Sequence, residues 1–96
     1  NANAHRARYN LALALAQAGR FAEAVEPGTA AATALGRQLG PDHPQTVDAY
    51  ELIDEILPGL VADAPTIATV RAVRDRVTED VAVLRRLDAW LAAHAS

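Results

Sequence analysis

Gly19-Arg20, Gly40-Pro41 and Pro58-Gly59 interrupt a chain that otherwise carries apolar residues at helical spacing almost throughout. Glycine accepts the left-handed conformation that closes a helix, and proline cannot continue one. The stops therefore confine the first part of the chain to short helices joined by tight reversals. Helix one is expected from about Asn3 to Ala18, with Leu11, Ala14, Leu15 and Ala18 on one face and Tyr9, Leu13 and Ala16 on a second. A helix that is apolar on two sides packs on two sides. Helix two is expected from about Phe21 to Leu39, with Ala24, Gly28, Ala31 and Leu35 as small contact residues and a bend at Pro27. Asp42-His43-Pro44 opens helix three, since an acid near the cap and a proline in the first turn both suit a helix N-terminus. Valine and threonine never alternate with polar residues between turns, so no strand is expected.

Beyond Pro58-Gly59 the pattern changes. Residues 60–65 are expected to connect, with Asp63 or Thr66 as the cap of the next helix. Ile67, Val70, Val73, Val77, Val81, Leu84, Leu87 and Leu91 then recur at steps of three and four. One long helix from about Thr66 to His94 explains that stripe; a cap at Thr78 would divide it in two. Arg71 with Asp75, Arg76 with Asp80 and Arg85 with Asp88 stand at helical neighbour spacings, each pair contributing about 0.2–0.5 kcal/mol. Arg74 and Asp88 interrupt a strict heptad. Packing of the stripe within the chain is thus favoured over an oligomer seam, with Trp90 as an anchor against helix three or another subunit.

Charge is unevenly spread. The formal net charge of the 96 residues is −3. Residues 41–66 hold Asp42, Asp48, Glu51, Asp54, Glu55 and Asp63 without one arginine, while both flanking parts are slightly basic. Nothing is basic enough for a nucleic-acid footprint. No apolar run reaches the roughly 18 residues of a membrane span. Cysteine is absent, which removes disulfides and thiolate metal sites and fits a cytoplasmic setting. His5, His43 and His94 are far apart and lack metal-ligand spacing. The one serine is Ser96, and no phosphate-cradling glycine loop or nucleophile elbow occurs. The expectation is a chain that is not an enzyme and has no cofactor.

Asn10-Leu11-Ala12, Gly19-Arg20-Phe21-Ala22-Glu23-Ala24 and Leu39-Gly40-Pro41-Asp42-His43-Pro44-Gln45-Thr46 together resemble a tetratricopeptide repeat of the kinesin-light-chain subclass. Members of that family repeat every 42 residues, which aligns Ala4 with Thr46. The resemblance implies antiparallel helix hairpins of an α-solenoid. Residues 1–45 would form one helix pair, and residues 46–96 a degenerate repeat helix with a C-terminal capping helix, all in one structural unit. The second repeat departs from the pattern, because Leu52-Ile53-Asp54 stands opposite Asn10-Leu11-Ala12 and no turn matches Gly19-Arg20.

In this family the first helix of each pair lines a groove for partner peptides. The corresponding positions are Arg6, Tyr9, Asn10, Leu13 and Gln17 in the first repeat and Asp48, Glu51 and Glu55 in the second. Asn10 would bond a peptide backbone; Leu52, its counterpart, has no group that can. Residue chemistry adds that Asp48, Glu51 and Glu55 form one acidic helix face, suited to a cationic partner or to arginines of the C-terminal helix. The plainer alternatives are a solvated face and a Tyr9–Leu13 surface covered by a preceding repeat. The function expected is a protein–protein interaction module taking a protein or peptide partner, with no nucleic acid and no membrane. A structural cap or self-association segment, as a homodimer or against upstream repeats, is the alternative.

Overall fold

A computed structural model describes residues 2–95, leaving out the side chain of Ala2; Asn1 and Ser96 lie outside the described residues. Five helices follow in order: α1 (Ala2–Gln17), α2 (Phe21–Leu39), α3 (Pro44–Gly59), α4 (Ala64–Arg76) and α5 (Val81–His94). No described residue is in a strand. The contacts sort into two layers. α1, α3 and α5 lie side by side in one, α2 and α4 in the other, and α2 touches every other helix. The thinnest dimension is 17 Å, as two helix layers about 8–10 Å apart require.

Each stop works as the local chemistry dictates. Gly19 takes φ +77°. Its N–H donates to the carbonyl of Ala16 (3.0 Å) while that of Arg20 donates to Leu15 (2.8 Å), the paired bonds of a Schellman ending. Arg20 then forks onto Glu23 with two 2.6 Å bonds across the first turn of α2. Gly40, at φ +92°, ends α2. α3 is capped by His43 rather than Asp42: its Nδ1 accepts from the Gln45 N–H at 3.1 Å, with Pro44 in the first turn. Asp63 caps α4 by accepting from the Thr66 N–H at 2.9 Å. Hydrogen bonding to Thr66, its side chain first and then its N–H, holds the Asp63 carboxyl below its ordinary value.

α2 runs unbroken through Pro27. The proline lies in the second turn, so only the bond its missing N–H would make to Glu23 is lost. Ala24, Val25, Gly28, Thr29, Ala31, Ala32 and Leu35 are buried on α2, more than one face of a surface helix would hide. Gly28 marks the crossing: a side chain there would meet the Ala12 Cβ of α1 at 3.6 Å and the Ile56 Cδ1 of α3 at 3.2 Å. Thr29 is accommodated within this contact by donating its hydroxyl to the carbonyl of Val25 at 2.8 Å.

The single long C-terminal helix is not formed. α4 stops at Arg76, Val77 to Asp80 turn, and α5 restarts on Asp80, whose Oδ1 accepts from the Val83 N–H at 3.2 Å. Asp80, not Thr78, is the cap. The break folds the two helices into an antiparallel hairpin, in which Arg74 pairs with Asp88 at 2.8 Å and Arg71 reaches the Ala95 carbonyl at 3.4 Å. Restarting resets the helical phase. Val83, Leu87 and Trp90 are therefore buried on α5, while Val81, part of the expected stripe, is 57% exposed. Arg71–Asp75, Arg76–Asp80 and Arg85–Asp88 are not ion pairs among the described residues. The arginines reach between helices instead: Arg74 to Asp88, Arg76 to Glu26 (3.5 Å) and Arg86 to Asp54 (2.8 Å). Trp90 closes the core within the chain and stacks on His94 at 4.7 Å.

The extended connector after α3 carries α4 away from it, so α4 packs on α2, and α5 takes the place beside α3. Gly59 makes the exit narrow enough. A Cβ there would stand 2.6–2.7 Å from the ring of Phe21. Gly59→Ala is expected to destabilise the fold by about 1–3 kcal/mol through this overlap, outweighing the roughly 0.5–1 kcal/mol that alanine gains in a helix. In urea unfolding, the Gly59→Ala and Phe21→Leu costs should be non-additive, because the smaller side chain relieves the collision; additive costs would show that the ring does not set the limit.

Candidate functional site

α1 and α3 are neighbours in the same layer, and this brings part of the expected groove together. Arg6, Tyr9 and Asn10 of α1 and Gln45 and Asp48 of α3 line one cleft of about 70 Å³, floored by Leu35 of α2. Tyr9 is half-buried; Arg6, Asn10 and Asp48 are exposed. The three residues of α1 share a face because they stand one helical turn apart. The Gln45 side-chain oxygen is enclosed and has no hydrogen-bond partner among the described residues.

The acidic row faces the same tyrosine. The Tyr9 phenol is raised above its ordinary value, first by burial and then by the charges of Asp48, Glu55 and Glu51. All three carboxylates are exposed, and none forms an ion pair among the described residues. Arg86, the arginine of the C-terminal hairpin that reaches α3, goes to Asp54 instead. Its guanidinium also lies 5.0 Å over the Tyr50 ring. The row is thus not neutralised by the C-terminal helices. Leu13 and Gln17 do not join the cleft: Leu13 packs half-buried against the core, and Gln17 is exposed in the last turn of α1. Leu52, the counterpart of Asn10, is 2% exposed and belongs to the core.

Sequence reasoning missed two features. Gln45 is part of the repeat-linking string, and its position at the start of α3, one turn before Asp48, is the signal that places it in the cleft. The larger cavity, about 380 Å³, lies elsewhere, between Gly36 of α2, Tyr50 of α3 and the α4–α5 turn. No spacing in the sequence foretells it, because it exists only where that turn folds back on α2. Among the described residues no group of three or more histidine, cysteine or acidic side chains is arranged to hold a metal ion, and no helix is long and apolar enough to cross a membrane.

The field of the acidic row is measurable at Tyr9. A raised phenol favours the neutral ring in the folded state, so its contribution to stability is present below the ordinary value near 10 and is lost as pH rises through the raised one. In a Tyr50→Phe background, ultraviolet titration should show the Tyr9 midpoint falling in the Glu51→Gln/Glu55→Gln variant; an unmoved midpoint would place both carboxylates out of reach. No family model, curated protein or solved structure matches the chain.

Proposed function

We propose that this chain is a non-catalytic interaction module of tetratricopeptide type, whose α1–α3 face takes a cationic segment of a partner protein. The observation that carries the reading is that Asp48 shares the cleft with Tyr9 and that no arginine or histidine is paired to Asp48, Glu51 or Glu55 among the described residues. Evenly charged rows on one helix repel, by about the same few tenths of a kcal/mol that opposite pairs gain. A cationic partner removes that repulsion, and the aromatic ring offers it a cation–π surface. Arg6 and Asn10 supply hydrogen bonds along the same cleft.

The repeat reading is supported by equivalence between α1 and α3. α1 ends at Gln17 and α3 at Gly59, 42 residues apart. On α3 the stripe Ala49, Ile53 and Ile56 is buried, to 1%, 2% and 2% exposure. Ile56 meets α2 at Gly28. Ala7, Leu11 and Ala14, the same stripe one period earlier, are exposed, Leu11 to 53%. This favours a second reading, in which the segment also stacks against a helix like α2. The face concerned is that of Leu11, not the Tyr9–Leu13 surface, which packs against the core of this chain.

The two readings part in experiment. Glu51→Arg/Glu55→Arg should abolish binding to basic members of an array of extended peptides while leaving the melting temperature within a few degrees of the parent, as expected for exposed surface changes. Retained binding would remove the acidic row from the function. For stacking, a chain with residues 1–42 duplicated ahead of residue 1 should melt as one cooperative unit at higher temperature. Two separate transitions, or no gain, would leave the Leu11 face without that role.

A further inference from the structure

The cavity of about 380 Å³ at the C-terminal end of α2 is several times larger than the α1–α3 cleft and shares no lining residue with it. Its size lies within the range of roughly 300–1,000 Å³ that bound groups occupy. Its floor is Gly36, a glycine inside a helix where alanine would be favoured. The missing side chain keeps this part of the floor flat. A Cβ on Gly36 would stand 3.2 Å from the Tyr50 hydroxyl, 3.6 Å from the Thr46 methyl and 4.0 Å from Oδ2 of Asp80.

Two polar groups meet this space without a hydrogen-bond partner among the described residues, and a third lies enclosed beside it. The Asp80 carboxylate spends Oδ1 on capping α5, while no hydrogen bond or ion pair uses Oδ2. The Tyr50 hydroxyl is likewise unbonded, although Arg86 lies over the ring. The Thr33 hydroxyl is enclosed and unpaired, whereas Thr29 and Thr69 each donate to the carbonyl one turn back. Thr33 lines the cavity.

We propose that this cavity seats a cationic side chain, lysine or arginine, of a partner polypeptide. Charge decides the sign of the ligand. Glu79 and Asp80 stand on the wall formed by the α4–α5 turn, and Arg37 is the cation on the α2 wall. The last turn of α2 adds the negative end of its dipole. Asp42 acts from the α2–α3 loop. Arg86 is already committed to Asp54 and to the Ala82 carbonyl. The Tyr50 phenol registers the balance: after burial, Asp80 and Asp42 push it up and Arg86 alone opposes them. A guanidinium or ammonium group would thus find Oδ2 of Asp80, the Tyr50 hydroxyl oxygen and the Glu79 carboxylate as acceptors. Val81, 57% exposed at the rim, gives an apolar contact for the methylene stem.

The test is a nitrogen–proton NMR titration of the full chain with N-acetyl-arginine N′-methylamide, against the uncharged isostere N-acetyl-citrulline N′-methylamide. The arginine compound should shift the amides of Gly36, Tyr50 and Val81, and the citrulline compound should not. Asp80→Asn keeps the cap, since asparagine serves there as well as aspartate, and should weaken binding about fivefold, the size of one exposed ion pair. Arg37→Gln should tighten it by removing the repelling cation. Gly36→Ala should weaken it by crowding the Tyr50 hydroxyl at the floor. Thermal melts matching the parent separate loss of the site from loss of the fold. Equal shifts from both compounds, indifference to Asp80→Asn, no shift at all, or the reverse order (tightened by Asp80→Asn, weakened by Arg37→Gln) would each overturn the proposal. Glu51→Arg/Glu55→Arg should leave these shifts intact, so failure of the α1–α3 reading and failure of this one are distinguishable.

Discussion

Everything in this structure rests on α2 being small enough to be packed from several sides. A helix with Leu or Phe at position 28 would hold α1 and α3 apart; Gly28 lets Ala12 and Ile56 approach the same point of its backbone. Close approach strengthens dispersion contacts that are individually about 0.1–0.2 kcal/mol and matter only in number. It also offsets the scarcity of aromatic residues, since among the described residues only Trp90 is a buried aromatic. The cost is conformational: glycines at positions 28 and 36 weaken an isolated α2 by roughly 0.5–1 kcal/mol each. The helix is therefore stable through its neighbours, not through propensity alone.

From that centre the surface chemistry is built. With α1 and α3 held side by side on α2, residues that are far apart in sequence share a face, and the Tyr9 ring comes within the field of three carboxylates on α3. The same centre produces the second cavity. Gly36 lies two turns beyond Gly28 on α2, at the level where Tyr50 and the α4–α5 turn close over it. One glycine brings helices together and the other leaves room between them. The difference is what stands opposite: apolar methyl groups at Gly28, and a hydroxyl and a carboxylate beside one methyl at Gly36.

The C-terminal hairpin shows how arginine can organise a small helical domain. Arg74, Arg76 and Arg86 each bridge to another helix, tying α4 to α5, α4 to α2 and α5 to α3. All three bridges are at or near the surface and are individually worth little. Their effect is to fix which helix lies beside which, while Val70, Val73, Val83, Leu87 and Trp90 supply the burial.

The sequence by itself determined the helical class, the first three helices to within a residue or so, and the chemistry of their ends. Gly19, Gly40, Pro44 and Asp63 act locally, through backbone conformation and bonds within one turn, so their meaning survives in any context. It also carried the acidic row, because residues three and four apart share a face wherever a helix forms. Tertiary structure decided the rest. An unbroken stripe from Ile67 to Leu91 reads most simply as one helix, although it also admits two. The break at Val77–Asp80 arises because two short helices can cover both α2 and α3, which one straight helix cannot. The partners of the arginines, the burial of Leu52 opposite an exposed Asn10, and the cavity over Gly36 likewise depend on distances between helices. Those distances are set by side-chain volumes meeting across the core, and no periodicity along the chain contains them.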